Sequence, residues 1–171
     1  MGKIFKFLRE FKWLIIFFIV LQILIVTVVP RFIIPFKVDG ESMERTLQNN
    51  DLMIGKKYIL DKPDHSDVVV FEAPSKDLYI KRIIGVPGDT ISISGKTIYR
   101  NGQPIIEDYI NPPQETNEIS EIKIPNNKYF VMGDNRDNSV DSRFTEVGLV
   151  DFAQIQSKIY MRLKPNMNFG Y

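Results

Sequence analysis

The longest apolar run lies near the start of the chain, from Trp13 to Val29, interrupted only by Gln22 and Thr27 and stopped by Pro30. As a helix it spans about 26 Å, close to the hydrocarbon thickness of a bilayer once Phe11 or Phe32 extends it. Lys3, Lys6, Arg9 and Lys12 precede it against a single Glu10, a flank that keeps the N-terminus cytoplasmic and sends the remainder across. No Ala, Gly or Ser occurs from Trp13 to Val38. A small-residue cleavage site is therefore missing, and the pattern predicts an uncleaved anchor. This gives a basic cytoplasmic segment over 1–12, a transmembrane anchor over 13–30 and an extracytoplasmic domain over 31–171. Phe32-Ile33-Ile34-Pro35-Phe36, directly after the run, reads either as membrane-proximal surface or as plain core.

Beyond Lys37 the pattern changes to short strands and turns. Asp67-Val68-Val69-Val70-Phe71 is a β-branched run ended by Pro74. Thr90-Ile91-Ser92-Ile93 alternates, turns at Ser94-Gly95-Lys96 and resumes as Thr97-Ile98-Tyr99 before Asn101-Gly102. Asn111 to Ser120 is polar and reads as a surface excursion. Ile122-Lys123-Ile124 and Lys128 to Met132 flank a Pro125-Asn126-Asn127 turn, and a last strand is expected around Ile159-Tyr160-Met161. No sustained helical period follows the anchor. The fold class is mainly β, with antiparallel sheets, preceded by one N-terminal transmembrane helix.

Composition narrows the chemistry. The 171 residues carry 22 basic and 21 acidic side chains, for a net charge of +1, so no nucleic-acid footprint is visible. Cysteine is absent, which excludes disulfides, a thiol nucleophile and thiolate metal sites. A single histidine excludes a histidine-rich metal site. No cofactor is expected.

The chemistry centres on Tyr79-Ile80-Lys81-Arg82-Ile83-Ile84. As a strand it places Tyr79, Lys81 and Ile83 on one face and Ile80, Arg82 and Ile84 on the other. Each face carries one cation among apolar neighbours. Such a strand suits a sheet edge guarded by lysine, or long stems lying on apolar surface with wet heads. A second stretch, Gly40-Glu41-Ser42-Met43, changes that reading. A serine hydroxyl is a weak nucleophile until a base takes its proton. A desolvated lysine can be that base, because burial disfavours the ammonium form. Without Lys81, Ser42 would read as a turn serine capping a short helix at Met43 to Leu47.

A third stretch, Met132-Gly133-Asp134-Asn135-Arg136-Asp137-Asn138-Ser139-Val140-Asp141-Ser142-Arg143, is too polar for core. Taken in order with the Asp67–Phe71 run and the anchor, the three segments closely resemble the type I signal peptidases, membrane-anchored Ser–Lys endoproteases. The resemblance covers nearly the whole chain, with Ile155 to Pro165 similar to the closing strand, and implies a signal-peptidase-like catalytic domain. It implies Ser42 as nucleophile, forming an ester with the carbonyl at the cut, and Lys81 as general base. It implies Ser139 beside the lysine amine, a supporting Asp141–Arg143 ion pair, and Gly133, Asp134, Asn135 and Arg136 fixing the loop behind. The oxyanion donor should include the Ser42 backbone N–H. Met43, Tyr79 and Ile80 are implied near shallow pockets that admit small side chains, first and third before the cut. The implied partners are secreted preproteins bearing signal peptides, the lipid bilayer and the secretion translocon.

Some positions depart from the family's pattern. Arg45 stands where Pro is usual before Thr-Leu, and Ser66 and Ser157 stand where Gly is usual. Gly40 replaces the serine that supplies a second oxyanion donor in some relatives, leaving a main-chain contribution there. His65, in Lys62-Pro63-Asp64-His65-Ser66-Asp67, reads as a solvated turn histidine, so a Ser–His triad is rejected. Two other classes share features with this chain. A non-catalytic, membrane-anchored assembly or pilus chaperone factor would lack Ser42 or Lys81. A soluble self-cleaving repressor would carry a DNA-binding domain in place of the anchor.

Overall fold

The computed structural model describes residues 2–27, 32–110, 118–164 and 168–169. The chain forms two compact units, Met1–Ile34 and Pro35–Tyr171. The first is built on helix α1 (Gly2–Thr27), which covers the expected anchor up to Thr27; Val28, Val29 and Pro30 lie outside the described residues. From Trp13 to Val26 its large apolar side chains, Leu21 apart, are exposed. Among the described residues, no helix is long and apolar enough to cross a membrane.

The second unit is mainly β, as its strand and turn pattern predicts, with short 3-10 turns at Arg136–Asn138 and Phe152–Gln154. Its strands are β1 (Ile33–Lys37, entered from the first unit), β2 (Leu52–Lys56), β3 (Val68–Glu72), β4 (Leu78–Gly85), β5 (Thr90–Ser94), β6 (Thr97–Arg100) and β7 (Gln103–Pro104). They continue with β8 (Ile119–Lys123), β9 (Lys128–Met132), β10 (Val150–Asp151), β11 (Ile155–Lys164) and β12 (Asn168–Phe169). The larger sheet runs β1-β2-β11-β3-β4-β9-β10, with β12 on β11, and the smaller runs β7-β6-β5-β8. Asn101 and Gly102 both have positive φ, at 54° and 76°, which is the turn that joins twisted strands through two residues. Two expectations need adjusting. Ile119 and Ser120, expected at the end of a polar excursion, already belong to β8. The strands flanking Pro125-Asn126-Asn127 do not pair with each other: β8 adds to β5, whereas β9 adds to β4.

β3 explains the arrangement of the core. Val68 and Val70 enter one apolar cluster with Met43, Leu47, Met53 and Ile159. Val69 and Phe71 enter another with Ile83, Tyr129 and Val131. A strand buried on both faces needs a continuous apolar run instead of alternation, which is what Val68–Phe71 supplies. A third cluster, Ile84, Ile91, Ile93, Ile98, Ile124, Phe130 and Met132, joins the smaller sheet to β4 and β9. Gly85 lets these layers meet, since a Cβ there would collide with Ile124 and Ile91. β4 is no edge strand. It lies between β3 and β9, and both its cations are buried.

Candidate active site

Lys81 stands opposite Val69 in the β3–β4 ladder and is 4% exposed. Its Nζ lies 5.3 Å from the centre of the Tyr79 ring and donates a 2.7 Å hydrogen bond to Ser42 Oγ. Burial brings the ammonium down from its ordinary 10.5 to about 8, against the pull of Asp141 and with help from Arg143. A large share of Lys81 is therefore neutral near pH 8 and can accept a proton.

Ser42 is presented by a turn. Glu44 N–H bonds Glu41 O, while Thr46 and Leu47 N–H both bond Met43 O. These bonds form consecutive turns over Ser42–Leu47, and the short helix that the serine would otherwise cap is not formed. Met43 and Leu47 anchor the turn by burying their side chains beside Val68 and Val70. Arg45 has φ +85°, a backbone that proline cannot adopt, so the departure at this position goes with a locally different turn. Among the described residues, Ser42 N–H has no hydrogen-bond acceptor within the chain. Gly40 N–H, the expected main-chain contribution beside it, is instead taken by Asn49 Oδ1 at 3.3 Å.

The polar loop after β9 grips this turn directly. Asn135 N–H donates to Ser42 O at 3.1 Å, and Asn135 Nδ2 donates to Glu41 O at 3.1 Å. Gly133 allows the approach, because a Cβ there would collide with both Ser42 O and Ser139 Oγ. The expected Asp141–Arg143 pair is present and two-pronged, with Nε–Oδ1 at 2.8 Å and Nη2–Oδ2 at 2.9 Å. Asp141 also accepts from Gly133 N–H at 2.9 Å and from Ser139 Oγ at 2.7 Å. Ser139 is therefore bonded to the supporting carboxylate, and the lysine amine to Ser42. The expected contact between Ser139 and the amine is not made in this arrangement.

A cleft of about 770 Å³ opens over the dyad. Met43, Tyr79 and Ile80 line it together with Ser42, Lys81 and Val70. Met43 is buried, while Tyr79 and Ile80 are partly open. The β4–β9 register begins at Arg82↔Met132, so Leu78 to Lys81 have no strand partner on that side.

Arg82 was legible only as a cation on the far face of β4. It forks onto Asp134, with Nε–Oδ1 at 2.9 Å and Nη2–Oδ2 at 2.7 Å, both residues being buried. Thr46, within the Ser42 turn, donates to the same carboxylate. His65 does not reach the dyad. Its ring bonds Asp89 at 2.7 Å with a third of the side chain exposed, so it is half-buried instead of freely solvated. Ser66 has φ +67°, a left-handed backbone that glycine adopts without strain. Ser157 Oγ is buried with no hydrogen-bond partner.

The model of a family described as "Signal peptidase, peptidase S26" matches residues 10–164. Signal peptidase I S of Bacillus subtilis (strain 168) is 38% identical over 139 residues, covering 73% of this chain and 74% of that protein. Signal peptidase IB of Staphylococcus aureus (strain MRSA252) is 35% identical over 182 aligned positions, covering 94% of this chain and 92% of that protein. A crystal structure of a signal peptidase I from Enterococcus faecalis V583 aligns with a TM-score of 0.51 at 30% identity, covering 58% of this chain and 98% of that one. A family match across most of the chain, with relatives of this identity and coverage, means that this chain belongs to the signal peptidase family.

Proposed function

We propose that this chain is a membrane-anchored serine endopeptidase that removes signal peptides from exported preproteins, with Ser42 as nucleophile and Lys81 as general base. The observation that carries the reading is the 2.7 Å hydrogen bond between a buried lysine and a serine at the floor of a cleft. Neutral Lys81 takes the Ser42 proton as Oγ attacks the carbonyl at the cut. The negative charge that develops on the carbonyl oxygen is met by Ser42 N–H. Lys81 then returns its proton to the leaving amine. It next deprotonates the water that hydrolyses the ester. Ser139, Asp141 and Arg143 hold the loop that keeps this geometry.

Leu78 to Lys81, open on one side, suit an extended substrate added as a further strand. Met43, Tyr79 and Ile80 then meet alternate side chains and leave room for small ones, since larger ones clash. The run Trp13–Val29 serves as the anchor, with 1–12 cytoplasmic and 31–171 outside, near the translocon that delivers preproteins. A shared bilayer raises the effective concentration of substrate. The test is purified full chain, wild type and Ser42→Ala, incubated with a preprotein. A new N-terminus after a small-x-small sequence, made only by wild type, supports the reading; equal cleavage by Ser42→Ala removes it.

A further inference from the structure

Beyond the dyad lies a group of buried and partly buried side chains that the proposed chemistry does not use. Residues 105–110 follow β7 and leave the smaller sheet. Glu107 there receives both terminal nitrogens of Arg136, Nη1–Oε2 at 2.9 Å and Nη2 to Oε1. Arg136 in turn donates from Nε to Gly133 O at 3.1 Å. Tyr109 OH donates to Glu107 Oε1 at 2.7 Å, and the Arg82 guanidinium lies 4.1 Å from the centre of the Tyr109 ring. Burial and the neighbouring Glu107 push the Tyr109 hydroxyl far up, so it stays a donor. Ile110 is buried and pins the end of the segment.

This segment therefore holds two guanidiniums near the catalytic geometry, Arg136 and Arg82, while Arg143 is held separately by Asp141. Arg82 follows Lys81 and reaches the Ser42 turn through Asp134 and Thr46. Arg136 follows Asn135, whose N–H holds Ser42 O. A buried guanidinium with a fixed fork keeps its loop in one place, and releasing one prong leaves a buried charge unbalanced. We propose that Glu107 and Tyr109 are positioning residues, a strap from the smaller sheet that fixes Ser42 against Lys81 by locking Arg136 and Arg82. The inference rests on the dyad reading and adds a part of the molecule remote in sequence from it.

The test uses the purified full chain and an internally quenched peptide with alanine first and third before the cut. Glu107→Gln keeps the shape but removes the charge. It should lower kcat by about tenfold or more, since small displacements of reacting groups are costly, with KM held within about twofold. Tyr109→Phe keeps the ring over Arg82 and loses only the bond to Glu107, so it should lose a few-fold; Tyr109→Ala should lose more. A loosened loop admits water beside Lys81, which is faced by Asp141, Asp134, Arg143 and the Tyr79 ring. The alkaline rise of the rate should therefore move to higher pH in Glu107→Gln, which a simple loss of folded protein would not cause. Glu107→Gln with Arg136→Lys should lose about as much as the worse single variant, because both break one device. Wild-type kcat and pH profile in Glu107→Gln, losses that multiply in the double variant, or a fall in rate matched by the folded fraction would each overturn the proposal. If Ser42→Ala cleaves as well as wild type, the dyad reading falls and takes this inference with it.

Discussion

Lys81 and Arg82 leave opposite faces of β4 and reach the same short turn. The lysine meets Ser42 directly, at 2.7 Å. The arginine meets Thr46 through Asp134, whose carboxylate both of them share. One strand thus carries the proposed base and a brace for the backbone of the turn that presents Ser42. A one-residue slip of β4 would turn Lys81 to the opposite face and bring Ile80 or Arg82 to its place, so the register with Val68 and Val69 is part of the site.

The brace predicts the behaviour of Asp134→Asn. Arg82 would keep its burial and lose its counter-charge, a change that typically costs about 3–5 kcal/mol. Denaturant unfolding of the β domain should show a loss of that order, and peptide cleavage should fall with it. A stability within about 0.5 kcal/mol of wild type would mean that the fork holds nothing.

Part of this arrangement follows from the sequence alone. Alternation places Lys81 and Arg82 on opposite faces, and the β-branched run Asp67–Phe71 marks a strand; that this strand is buried on both faces is seen only in the fold. The partners of Arg82 and Arg136 were not readable, because contacts such as Arg82–Asp134 and Arg136–Glu107 join residues far apart in sequence. Ser139 shows a different limit. Resemblance placed it near the amine, but local geometry gives its proton to Asp141 two residues away. Short-range Ser–Asp bonds of this kind compete with longer ones. The Gly40 N–H was likewise lost to a neighbour, Asn49, that no motif singled out.

Gly133→Ala should separate activity from folding. The added methyl collides with Ser42 O and with Ser139 Oγ, so either the loop or the nucleophile turn must shift. Cleavage should drop by about 100-fold or more, as for a misplacement of about 1 Å. The thermal midpoint should fall too, since one of these contacts is main-chain, but a loss of about 1–3 kcal/mol leaves the chain folded at the assay temperature. Full activity in Gly133→Ala would show that the loop does not set the position of Ser42.

Ser157→Ala and Ser66→Gly should each raise stability without altering cleavage. The first removes a buried hydroxyl that lacks a partner, and such groups cost about 1–3 kcal/mol. The second relieves a left-handed backbone at φ +67°, worth roughly 1 kcal/mol. The Ser66 carbonyl still accepts from Arg82 Nη1 at 2.8 Å, because that bond is main-chain. Lower unfolding midpoints in both variants would contradict these assignments.

His65→Ala should retain close to full activity, since the ring bonds Asp89 and not the dyad. Its effect belongs to stability. Burial works to raise the Asp89 carboxyl, but hydrogen bonds from His65, Val86 N–H and Asn101 outweigh it and hold it below its ordinary 3.8. A depressed carboxyl stabilises the fold above its unfolded value and loses that contribution as pH falls through the folded one. Variant and wild type should therefore differ by about 1 kcal/mol near neutrality and converge as pH drops below about 4. A loss of several orders of magnitude in rate would instead restore histidine to the chemistry.

Lys81 should show its state in two independent measurements. Only the neutral amine can take the Ser42 proton, so kcat/KM should rise with pH along a limb near 8, the value to which burial lowers the lysine. Asp141 pulls that value upward, so removing its charge in Asp141→Asn should move the limb to lower pH. Lys81→Arg should be as inactive as Lys81→Ala, because guanidinium stays protonated at any workable pH. The second measurement is stability. A lysine held at about 8 when folded and near 10.5 when unfolded binds more protons in the unfolded state between those values. Stability therefore rises with pH across that window and is lowest below it. Lys81→Met, which fills the same space without charge, should be more stable than wild type at neutral pH by up to about 3 kcal/mol. That advantage should shrink as pH climbs from 8 toward 10. A rate that stays flat from acid to alkaline pH, or a Lys81→Met variant less stable than wild type at pH 7, would mean that the lysine is held charged and cannot serve as the base.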